Sequence, residues 1–384
     1  EYPLAFHGVA LAGGVVTTAN PLYTADELAY QLRDSGAKFL ITVGPLLEKA
    51  IPAAQQAGVQ EVFVIGEGDG ATPFAELLAD AEPPEIALDP AEDLVVLPYS
   101  SGTTGLPKGV MLTHRNLVAN MVQVMASGVN LQPDERVIGV LPFYHIYGML
   151  VILNLCLHKG MTIVTMARFD LEQFLKIMQD YQITRANLVP PIILALAKHP
   201  IVDNYDLSHL KIIMSGAAPL SAELAQACAE RIGCIVLQGY GLTETSPVTH
   251  VNPEDPARIK LGSVGVPIAN TECAVVSLET GNPLGIREEG EIWIRGPQVM
   301  KGYLNNPDAT AQTLTPDGWL RTGDVGYVDE DGYFYIVDRV KEMIKYKGLQ
   351  IAPAELEAVL LTHPAVADAA VIPSPDPEAG EVPK

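Results

Sequence analysis

A short segment rich in hydroxyl groups and glycine, residues 99–109, has the composition of a loop that binds phosphate. It reads Tyr-Ser-Ser-Gly-Thr-Thr-Gly-Leu-Pro-Lys-Gly and follows the apolar run 94–97. Its hydroxyls and Lys108 can neutralise a polyphosphate, and its glycines let backbone N–H groups approach the phosphate oxygens. It is not a Walker loop, because its second glycine precedes Lys108 by three positions and Gly109 follows it. The order of residues predicts a polyphosphate-binding loop, and a merely flexible Ser/Gly/Thr loop is the alternative.

A second glycine-containing segment, residues 238–244, reads Gln-Gly-Tyr-Gly-Leu-Thr-Glu and follows the apolar run 235–237. Its glycines allow the backbone to lie against a flat ring, and Tyr240 offers an aromatic stacking face. Thr243 can hydrogen-bond a phosphate, and Glu244 can hold Mg²⁺ on phosphate oxygens. The pattern is therefore typical of a nucleotide site, although a strand-to-helix turn capped by threonine would look the same.

Three further features carry candidate chemistry. Asp324 follows a glycine in Thr-Gly-Asp, where a carboxylate can bind the two hydroxyls of a ribose, and an ordinary hairpin aspartate in an antiparallel sheet is the alternative. Residues 339–347 contain four cations, against 24 in the whole chain of 384, which indicates an anion-handling or hinge segment, and a solvated basic face is the usual alternative. His145 lies among aromatic residues in 142–148, where it is either a packed core histidine or part of the wall of a flat ligand pocket.

Alternating strands and helices must position these segments. Short apolar, β-branched runs separated by helical-period stretches are the pattern of βαβ units, and hence of mostly parallel sheets. The predicted strands are 38–43 and 61–65, both buried, and 137–141, 161–165, 211–214 and 235–237. The predicted helices are 28–35, 75–81, 171–181, 191–198 and 222–231.

The pattern changes after about residue 262. The alternating segments 291–295 and 332–337, with the turn dipeptides 317–318 and 331–332, predict an antiparallel β subdomain. A helix is expected from Pro353 to before Pro364, with a strand over 366–372. The fold class is therefore α/β, with parallel βαβ sheets, an antiparallel β subdomain and the start of a small C-terminal α/β domain.

Composition excludes several classes of protein. The 24 Lys and Arg against 46 Asp and Glu give a net charge of −22, which repels nucleic acid and anionic membranes at long range. The four cysteines have neither CxxC nor zinc spacing, so we expect reduced thiols. No apolar stretch approaches the roughly 20 residues of a membrane span, and the first residues carry no basic targeting region. We expect a soluble, cytoplasmic protein.

In this order along the chain, these segments resemble the adenylate-forming superfamily of acyl-CoA and aryl-CoA synthetases, firefly luciferase and nonribosomal adenylation domains. The resemblance covers essentially the whole chain and is closest to 4-coumarate:CoA ligases, through residues 99–114, 143–147 and 344–357. It implies two half-reactions. A carboxylate and Mg-ATP give an acyl-adenylate and pyrophosphate, and the thiol of coenzyme A then displaces AMP.

The resemblance also implies the parts that residues play. A large N-terminal domain would span 1–338, and 339–384 would hold the hinge, at Lys341, and the beginning of a smaller C-terminal domain. Residues implied to bind ATP or coenzyme A are Ser100, Ser101, Gly102, Thr103, Thr104, Lys108, Gly216, Ala217, Ala218, Gln238, Gly239, Tyr240, Thr243, Asp324, Arg339, Lys347 and Gly348. The residues implied in catalysis are His145, Thr243, Lys345 and Gln350, with Glu244 as the Mg²⁺ ligand.

Within that set the implied contacts differ by segment. The 100–108 loop would neutralise the β- and γ-phosphates, and Thr243 would hold the α-phosphate. Residues 216–218 with Tyr240 would sandwich adenine, and Asp324 with Arg339 would bind ribose. His145 would orient the acyl carboxylate, Lys345 and Gln350 would lie around the acyl-adenylate, and Lys347 and Gly348 would contact coenzyme A.

The implied acyl pocket is flat, aromatic-floored and mostly uncharged. Its residues are Tyr147, Gly148, Gly216, Gly241, Pro247 and Val248. This composition favours a cinnamate-like aryl acid such as 4-coumarate. An amino acid is disfavoured because residues 143–147 lack the aspartate of amino-acid-activating domains, and a luciferase is disfavoured more weakly. A medium-chain fatty acid stays open, since an apolar slot cannot strongly exclude another apolar tail.

Family members extend beyond both ends of this chain, and beyond Lys384 they carry a lysine that contacts the acyl carboxylate during adenylation. We therefore expect this polypeptide, as given, to bind nucleotide while adenylating poorly. A truncated, non-catalytic nucleotide-binding relative is the alternative, and the intact Lys108, Glu244, Asp324 and Lys345 count against degeneracy. We expect a monomer or weak dimer that uses ATP, Mg²⁺ and coenzyme A.

Overall fold

The computed structural model describes residues 1–78, 82, 84–100, 106–346, 349–361, 363, 366, 369–376 and 380–384. The helices are α1 (Tyr2–Leu11), α2 (Ala25–Ser35), α3 (Leu47–Ala57), α4 (His114–Ala126), α5 (Leu155–Lys159), α6 (Leu171–Asp180), α7 (Pro190–Lys198), α8 (Ala222–Ile232), α9 (Pro307–Thr313) and α10 (Pro353–Leu361). A π-helix covers Tyr147–Asn154, and short 3₁₀ helices cover Gly44–Leu46, Phe74–Leu77, Pro200–Asn204, Thr243–Thr245 and Pro256–Arg258.

The strands form five sheets. Their bounds are β1 (Val16–Thr18), β2 (Phe39–Val43), β3 (Glu61–Ile65), β4 (Thr72–Pro73), β5 (Leu94–Ser100), β6 (Lys108–Gly109), β7 (Leu112–Thr113), β8 (Arg136–Gly139), β9 (Thr162–Thr165), β10 (Arg185–Leu188), β11 (Ile212–Ser215), β12 (Ile235–Gly241), β13 (Val248–Val251), β14 (Val266–Pro267), β15 (Glu272–Val276), β16 (Gly290–Arg295), β17 (Leu320–Val328), β18 (Phe334–Arg339), β19 (Ile344–Tyr346), β20 (Leu349–Ile351), β21 (Pro373–Asp376) and β22 (Gly380–Pro383).

The largest sheet contains β12, whose last residues belong to the segment 238–244 that the sequence predicts to bind a nucleotide. Its order is β14-β13-β12-β11-β10-β8-β9, with β9, β8, β10, β11 and β12 parallel and β13 and β14 antiparallel. Every residue of β10 and β11 is buried, because apolar clusters cover both faces of these central strands. The parallel βαβ arrangement predicted from the sequence is confirmed.

The helix α4 ties this sheet to neighbouring segments. Thr113 caps it in a capping box with Asn116, whose side-chain nitrogen also donates to the carbonyls of Pro297 (2.8 Å) and Val299 (2.9 Å). Further along the helix, the Asn120 amide donates to the carbonyl of Val248 at 2.7 Å. One face of α4 therefore fixes two stretches of backbone that approach the cleft described below.

Smaller sheets surround this core. The sheet β1-β5-β6, with β7 paired to β5, carries the hydroxyl-rich segment, and β15-β16-β17-β18 is the predicted antiparallel sheet. The predicted strand 38–43 exists as β2, but its predicted burial is wrong, since Phe39 is 56% exposed. The reason is its place at the edge of β2-β3-β4, where β3 takes the covered central position.

Two other predicted elements differ from the structure. The helix expected over 75–81 is a short 3₁₀ helix over Phe74–Leu77, and residues 79–81 lie outside the described part. The strand expected over 366–372 is absent from its described positions. Backbone pairing is seen from Ile372, which exchanges two hydrogen bonds with Lys384, and continues along β21 against β22. The expected helix at Pro353 is confirmed as α10.

Candidate active site

One cleft of about 2430 Å³ gathers the residues that the sequence singled out. It includes the segments that follow the carboxyl ends of β10 and β11 and the last residues of β12, where ligands of open α/β sheets bind. Lys108, Tyr240, Glu244 and Asp324 all line it, although they come from separate segments of the chain. The structure thus brings these four side chains together around a single hollow.

Lys108 is one of the cations that line the cleft. It begins β6 opposite Ser100 of β5, and both residues line the cleft. The Lys108 ammonium nitrogen lies 4.6 Å from the centroid of the Tyr303 ring, which is cation–π distance. Four predicted phosphate contacts of the same loop fall outside the described residues, namely Ser101, Gly102, Thr103 and Thr104.

Glu244 lies beside this cation. It belongs to the 3₁₀ helix Thr243–Thr245 that directly follows β12 and Leu242, and it is buried. Its Oε1 accepts a hydrogen bond from the Tyr303 hydroxyl at 2.8 Å, and its carbonyl accepts from the Met300 N–H at 2.9 Å. Thr243 lines the cleft next to it. One oxygen of the Glu244 carboxylate is thus bonded to Tyr303, and the other has no hydrogen-bond partner among the described residues. Such a carboxylate can serve as a single protein ligand to a phosphate-bound cation.

The described residues form no metal cage from protein side chains alone. The residues that the structure describes contain no group of three or more His, Cys, Asp or Glu side chains able to hold a metal ion. Mg²⁺ keeps waters and substrate phosphates as ligands and needs only one or two carboxylates from the protein. The donor set around Glu244 therefore fits a nucleotide-borne Mg²⁺ rather than a resident metal centre.

Tyr240 and Asp324 form a second polar pair across the cleft. The Tyr240 hydroxyl donates to Asp324 Oδ2 at 2.5 Å, and Arg339 Nε lies 3.7 Å from Asp324 Oδ1. Gly323, with φ +74°, turns the strand, and the Asp324 N–H donates to the Thr322 hydroxyl at 3.0 Å. The carboxylate is thereby held at the rim of the site by contacts from two sheets.

Burial sets the protonation of this pair. It raises the pKa of Asp324 to about 6, against the opposing hydrogen bond from Tyr240 and the charge of Arg339. Burial and the neighbouring Asp324 charge raise the pKa of Tyr240 further from neutrality, so its phenol stays a hydrogen-bond donor. At pH 7 Asp324 is mostly ionised and can accept hydroxyl groups, and this capacity falls through about pH 6.

The loop after β11 lies beside the Tyr240 end of β12, because β11 and β12 are neighbouring parallel strands. Gly216, Ala217 and Ala218 line the cleft, with Ala217 in a left-handed conformation at φ +72°. Gln238 secures this loop, because its side-chain oxygen accepts from the Leu220 N–H at 3.0 Å and its nitrogen donates to the Leu220 carbonyl at 2.9 Å. The Gln238 amide is thus occupied by protein backbone, while the adjacent Gly239 lines the cleft.

An apolar slot adjoins the loop. The Tyr147 hydroxyl donates to the Met214 carbonyl at 3.0 Å, and a Cβ at Gly216 would lie 2.8 Å from Tyr147 Cε1. Gly241, Pro247 and Val248 complete the lining. The absence of a side chain at residue 216 therefore lets the Tyr147 ring lie flat against the loop.

Two predicted residues near this slot have distinct settings. His145 lines the cleft, and its Nδ1 accepts the Tyr147 N–H at 3.2 Å. Burial lowers the pKa of His145, which favours the neutral ring at pH 7. Gly148 is buried outside the cleft lining, where a Cβ would lie 2.2 Å from the Pro142 carbonyl oxygen. It shapes the turn behind the slot rather than the slot surface.

The predicted hinge lies at the edge of the cleft. Arg339 and Lys341 line it, whereas Lys345 is exposed on β19 and outside the lining. The Lys345 N–H donates to Glu381 Oε2 at 2.7 Å, and the Gln350 backbone pairs with Lys345 in the small sheet. Lys347, Gly348 and the Gln350 side chain lie outside the described part. Of the described cations in residues 339–347, Arg339 and Lys341 therefore lie at the cleft and Lys345 does not.

Sequence reasoning missed two residues of the cleft. Tyr303 contacts both Lys108 and Glu244, and Asn187 lines the acyl slot from β10. The sequence signal available for Tyr303 was the preceding glycine, Gly302, shortly after the apolar residues 299–300. In the structure Gly302 has φ +145°, a conformation that favours glycine. Asn187 carried a weaker signal, a single amide within the strand Arg-Ala-Asn-Leu.

The helices of the described chain include none that is long and apolar enough to cross a membrane.

Comparison with known proteins identifies relatives of this chain. Residues 1–304 match the AMP-binding enzyme family, and residues 355–384 match the AMP-binding enzyme C-terminal domain. The sequence is 45% identical over 392 residues to 4-coumarate–CoA ligase 2 of Petroselinum crispum, covering 100% of this chain and 72% of that protein.

Solved structures agree with these sequence matches. ATP-bound MatB from Rhodopseudomonas palustris aligns with a TM-score of 0.87 and 31% identity, over 98% of this chain and 74% of that one. The anthranilate CoA ligase AuaEII in complex with anthranoyl-AMP aligns with a TM-score of 0.88 and 28% identity, over 99% and 73%. The sequence matches extend over the large part of the chain and into its C-terminal segment.

Proposed function

The chain belongs to the AMP-binding enzyme family, and we propose that it joins an aryl carboxylic acid of the 4-coumarate type to coenzyme A, with cleavage of ATP to AMP and pyrophosphate. The observation that carries this proposal is one cleft in which a cation, a buried acidic residue and a ribose-type carboxylate adjoin an apolar slot. ATP and coenzyme A are substrates of AMP-binding enzymes.

In the first half-reaction a carboxylate oxygen of the acid attacks the α-phosphorus of ATP, and pyrophosphate leaves. Lys108 is positioned to neutralise the charge that develops on the departing phosphates. Thr243 donates to the α-phosphate, and Glu244 is the residue suited to hold Mg²⁺. Bound Mg²⁺ supplies charge neutralisation on the phosphate oxygens. The roles of Ser101, Gly102, Thr103 and Thr104 in this step stay predictions of the same proposal.

The nucleoside lies between Tyr240 and the 216–218 loop in this proposal. Tyr240 stacks on the adenine, and its hydroxyl orients Asp324 so that the remaining carboxylate lone pairs accept the ribose hydroxyls. Arg339 adds positive charge beside this carboxylate. The support is that all these groups line the same cleft.

His145 orients the acid. Its ring is neutral at pH 7, because burial lowers its pKa, and Nδ1 already accepts the Tyr147 N–H. In the neutral tautomer Nε2 therefore carries the proton and can donate to a carboxylate oxygen. In the second half-reaction the thiol sulfur of coenzyme A attacks the acyl carbon and AMP leaves. The proposed hinge at Lys341, with the domain division at 338–339, would bring Lys345, Lys347, Gly348 and Gln350 into use.

The acyl slot supports an aryl acid with a polar substituent. Asn187 is 4% exposed, lines the cleft, and lies beside Met214 in the parallel register of β10 and β11. Its side-chain amide makes no hydrogen bond to another described residue, and Asn187 lines the cleft, where a ligand can reach it. A phenolic hydroxyl would satisfy such an amide, whereas a hydrocarbon tail would leave it unpaired.

The test is AMP release by the natural protein with ATP, Mg²⁺ and coenzyme A, using a panel of cinnamic, benzoic, C6–C12 fatty and amino acids. We expect the highest kcat/KM for 4-coumarate or another hydroxylated cinnamate. A preference for fatty acids would contradict the aryl assignment. Failure of every acid to support pyrophosphate–ATP exchange, while ATP still binds, would instead favour a non-catalytic nucleotide binder.

A further inference from the structure

Tyr303 stands between the two groups proposed to handle the charge of the triphosphate. Its hydroxyl donates to Glu244 Oε1 at 2.8 Å, while the face of its ring lies 4.6 Å from Lys108 Nζ. The residue is only 6% exposed, and it lines the cleft. Two different parts of one side chain thus contact an anion and a cation that are far apart in sequence.

The backbone holds Tyr303 in this place. Residues 300–304 run beside 109–111, with Met111 N–H donating to Gly302 (3.0 Å) and Leu304 N–H to Gly109 (2.8 Å). The Tyr303 N–H donates to the Thr310 hydroxyl at 2.9 Å. The same stretch of backbone therefore follows the strand of Lys108 and, through the Met300–Glu244 bond, the segment of Glu244.

The chemistry of the phenol fits a fixed donor. A phenol keeps its proton at neutral pH, so the Tyr303 hydroxyl donates to the Glu244 carboxylate, as the 2.8 Å contact shows. One carboxylate oxygen is then occupied, and among the described residues the other has no hydrogen-bond partner, which leaves it for a cation. The ring face attracts the ammonium group of Lys108 through its quadrupole without neutralising its charge.

We propose that Tyr303 is a positioning residue that couples the phosphate-binding lysine to the metal-binding glutamate, and so acts in adenylation and not in thioester formation. This inference rests on the proposed function. The hydroxyl would set the orientation of Glu244 toward Mg²⁺, and the ring would hold Lys108 toward the terminal phosphates. The two contacts can be separated, because phenylalanine keeps the ring and leucine keeps neither.

The chain offers a matched control in Tyr333. It is also 6% exposed, Lys260 Nζ lies 4.6 Å from its ring centroid, and its hydroxyl donates to the Arg258 carbonyl at 2.6 Å. Tyr333 does not line the cleft. Tyr333→Phe and Tyr333→Leu therefore report what losing a buried tyrosine with these contacts does to the fold alone.

Two binding measurements test the coupling on the natural protein. Titration calorimetry of ATP in EDTA measures ATP binding without metal, which tests the contact between the Tyr303 ring and Lys108. Mn²⁺ binding to the ATP complex, followed by electron paramagnetic resonance, tests the hydrogen bond between the Tyr303 hydroxyl and Glu244. We expect Tyr303→Phe to weaken Mn²⁺ binding about 10-fold, as for one charge-assisted hydrogen bond, with ATP binding in EDTA within twofold of wild type. Tyr303→Leu should also weaken ATP binding in EDTA about 3-fold.

A kinetic split completes the test. Pyrophosphate–ATP exchange should slow in both Tyr303 variants, while thioester formation from supplied acyl-adenylate and coenzyme A stays within twofold of wild type. Equal slowing of both half-reactions, or effects no larger than those of the Tyr333 variants, would overturn the inference. The wild-type exchange reaction separates this outcome from failure of the proposed function, since an enzyme of that function exchanges pyrophosphate only with an acid present.

Discussion

The phosphate end and the acyl end of the cleft are built in different ways. At the phosphate end, side chains from distant segments hold one another, as in the Tyr303–Glu244 and Tyr240–Asp324 hydrogen bonds. At the acyl end, glycine and backbone set the shape, as where the Tyr147 ring lies against Gly216. Removing a charged group at the phosphate end should therefore slow the reaction with every acid. Changing the shape of the acyl end should instead change which acids are preferred.

Loss of the cation should give the largest effect and should be the same for all acids. We expect Lys108→Met to slow pyrophosphate–ATP exchange about 100- to 1000-fold, the range for removing one preorganised group that stabilises developing charge. The matched control is Lys176→Met, because Lys176 pairs with Asp180 on an exposed helix face and does not line the cleft. A loss confined to some acids would break the distinction between the two ends.

Loss of the ribose-type carboxylate should follow in size. Asp324→Asn keeps the shape but removes the charge-assisted acceptor, so the Kd for ATP should rise about 10- to 100-fold. Isothermal titration without any acid present measures this directly. Glu272→Asn serves as the control, because Glu272 pairs with Arg295 on the surface and does not line the cleft. An unchanged ATP Kd would remove Asp324 from the nucleotide site.

The same residue predicts a pH dependence. Burial raises the pKa of Asp324 to about 6, so its carboxylate is protonated as the pH falls from 7.5 to 5. ATP binding should therefore weaken over this window in the wild type, since only the ionised form accepts both hydroxyls. In Asp324→Asn the pH dependence from this residue should disappear. ATP binding that strengthened on acidification would contradict the assignment.

At the acyl end, a methyl group should affect the acid more than the nucleotide. The three atoms nearest to the Cβ of Gly216→Ala belong to Tyr147, so we expect kcat/KM for 4-coumarate to fall about 10-fold and ATP binding to weaken less, although Gly216 also belongs to the loop proposed to contact adenine. Gly8→Ala is the control, because nothing lies within 4 Å of its added Cβ. A larger loss of ATP binding than of acid selectivity would show that the two ends are not separable.

The smallest expected effect concerns polar recognition in the slot. Asn187→Leu should reduce the preference for 4-coumarate over cinnamate about 5-fold, as for one neutral hydrogen bond. The measurement is the ratio of kcat/KM values for the two acids, which cancels changes in protein concentration and general activity. An unchanged ratio would exclude Asn187 as the partner of the phenolic hydroxyl.

The local motifs that line the cleft were predictable from the sequence, but the side-chain contacts between these motifs and distant segments were not. The segments around Lys108, Tyr240 and Asp324 each combine glycine with groups of known phosphate or ribose chemistry, so short windows of sequence suffice to identify them. Tyr303 lies 59 residues from Glu244 and reaches it only through the folding of separate strands. No local pattern contains that contact.

The same limit explains the differences in fold. The runs of apolar residues predicted four of the five parallel strands of the large sheet, namely β8, β9, β11 and β12. They missed β10, because its sequence Arg-Ala-Asn-Leu alternates polar and apolar residues although the strand is buried. The exposure of β2 depends instead on its place at a sheet edge, which its own sequence does not contain. The domain boundary at 338–339 stays a prediction.

A crystal structure with ATP and Mg²⁺ bound tests the common claim most directly. We expect one nucleotide, with its adenine against Tyr240, its ribose hydroxyls on Asp324, and its terminal phosphates contacting Lys108 with the metal on Glu244. A nucleotide bound elsewhere, or one that leaves Lys108 and Asp324 without contact, would contradict it.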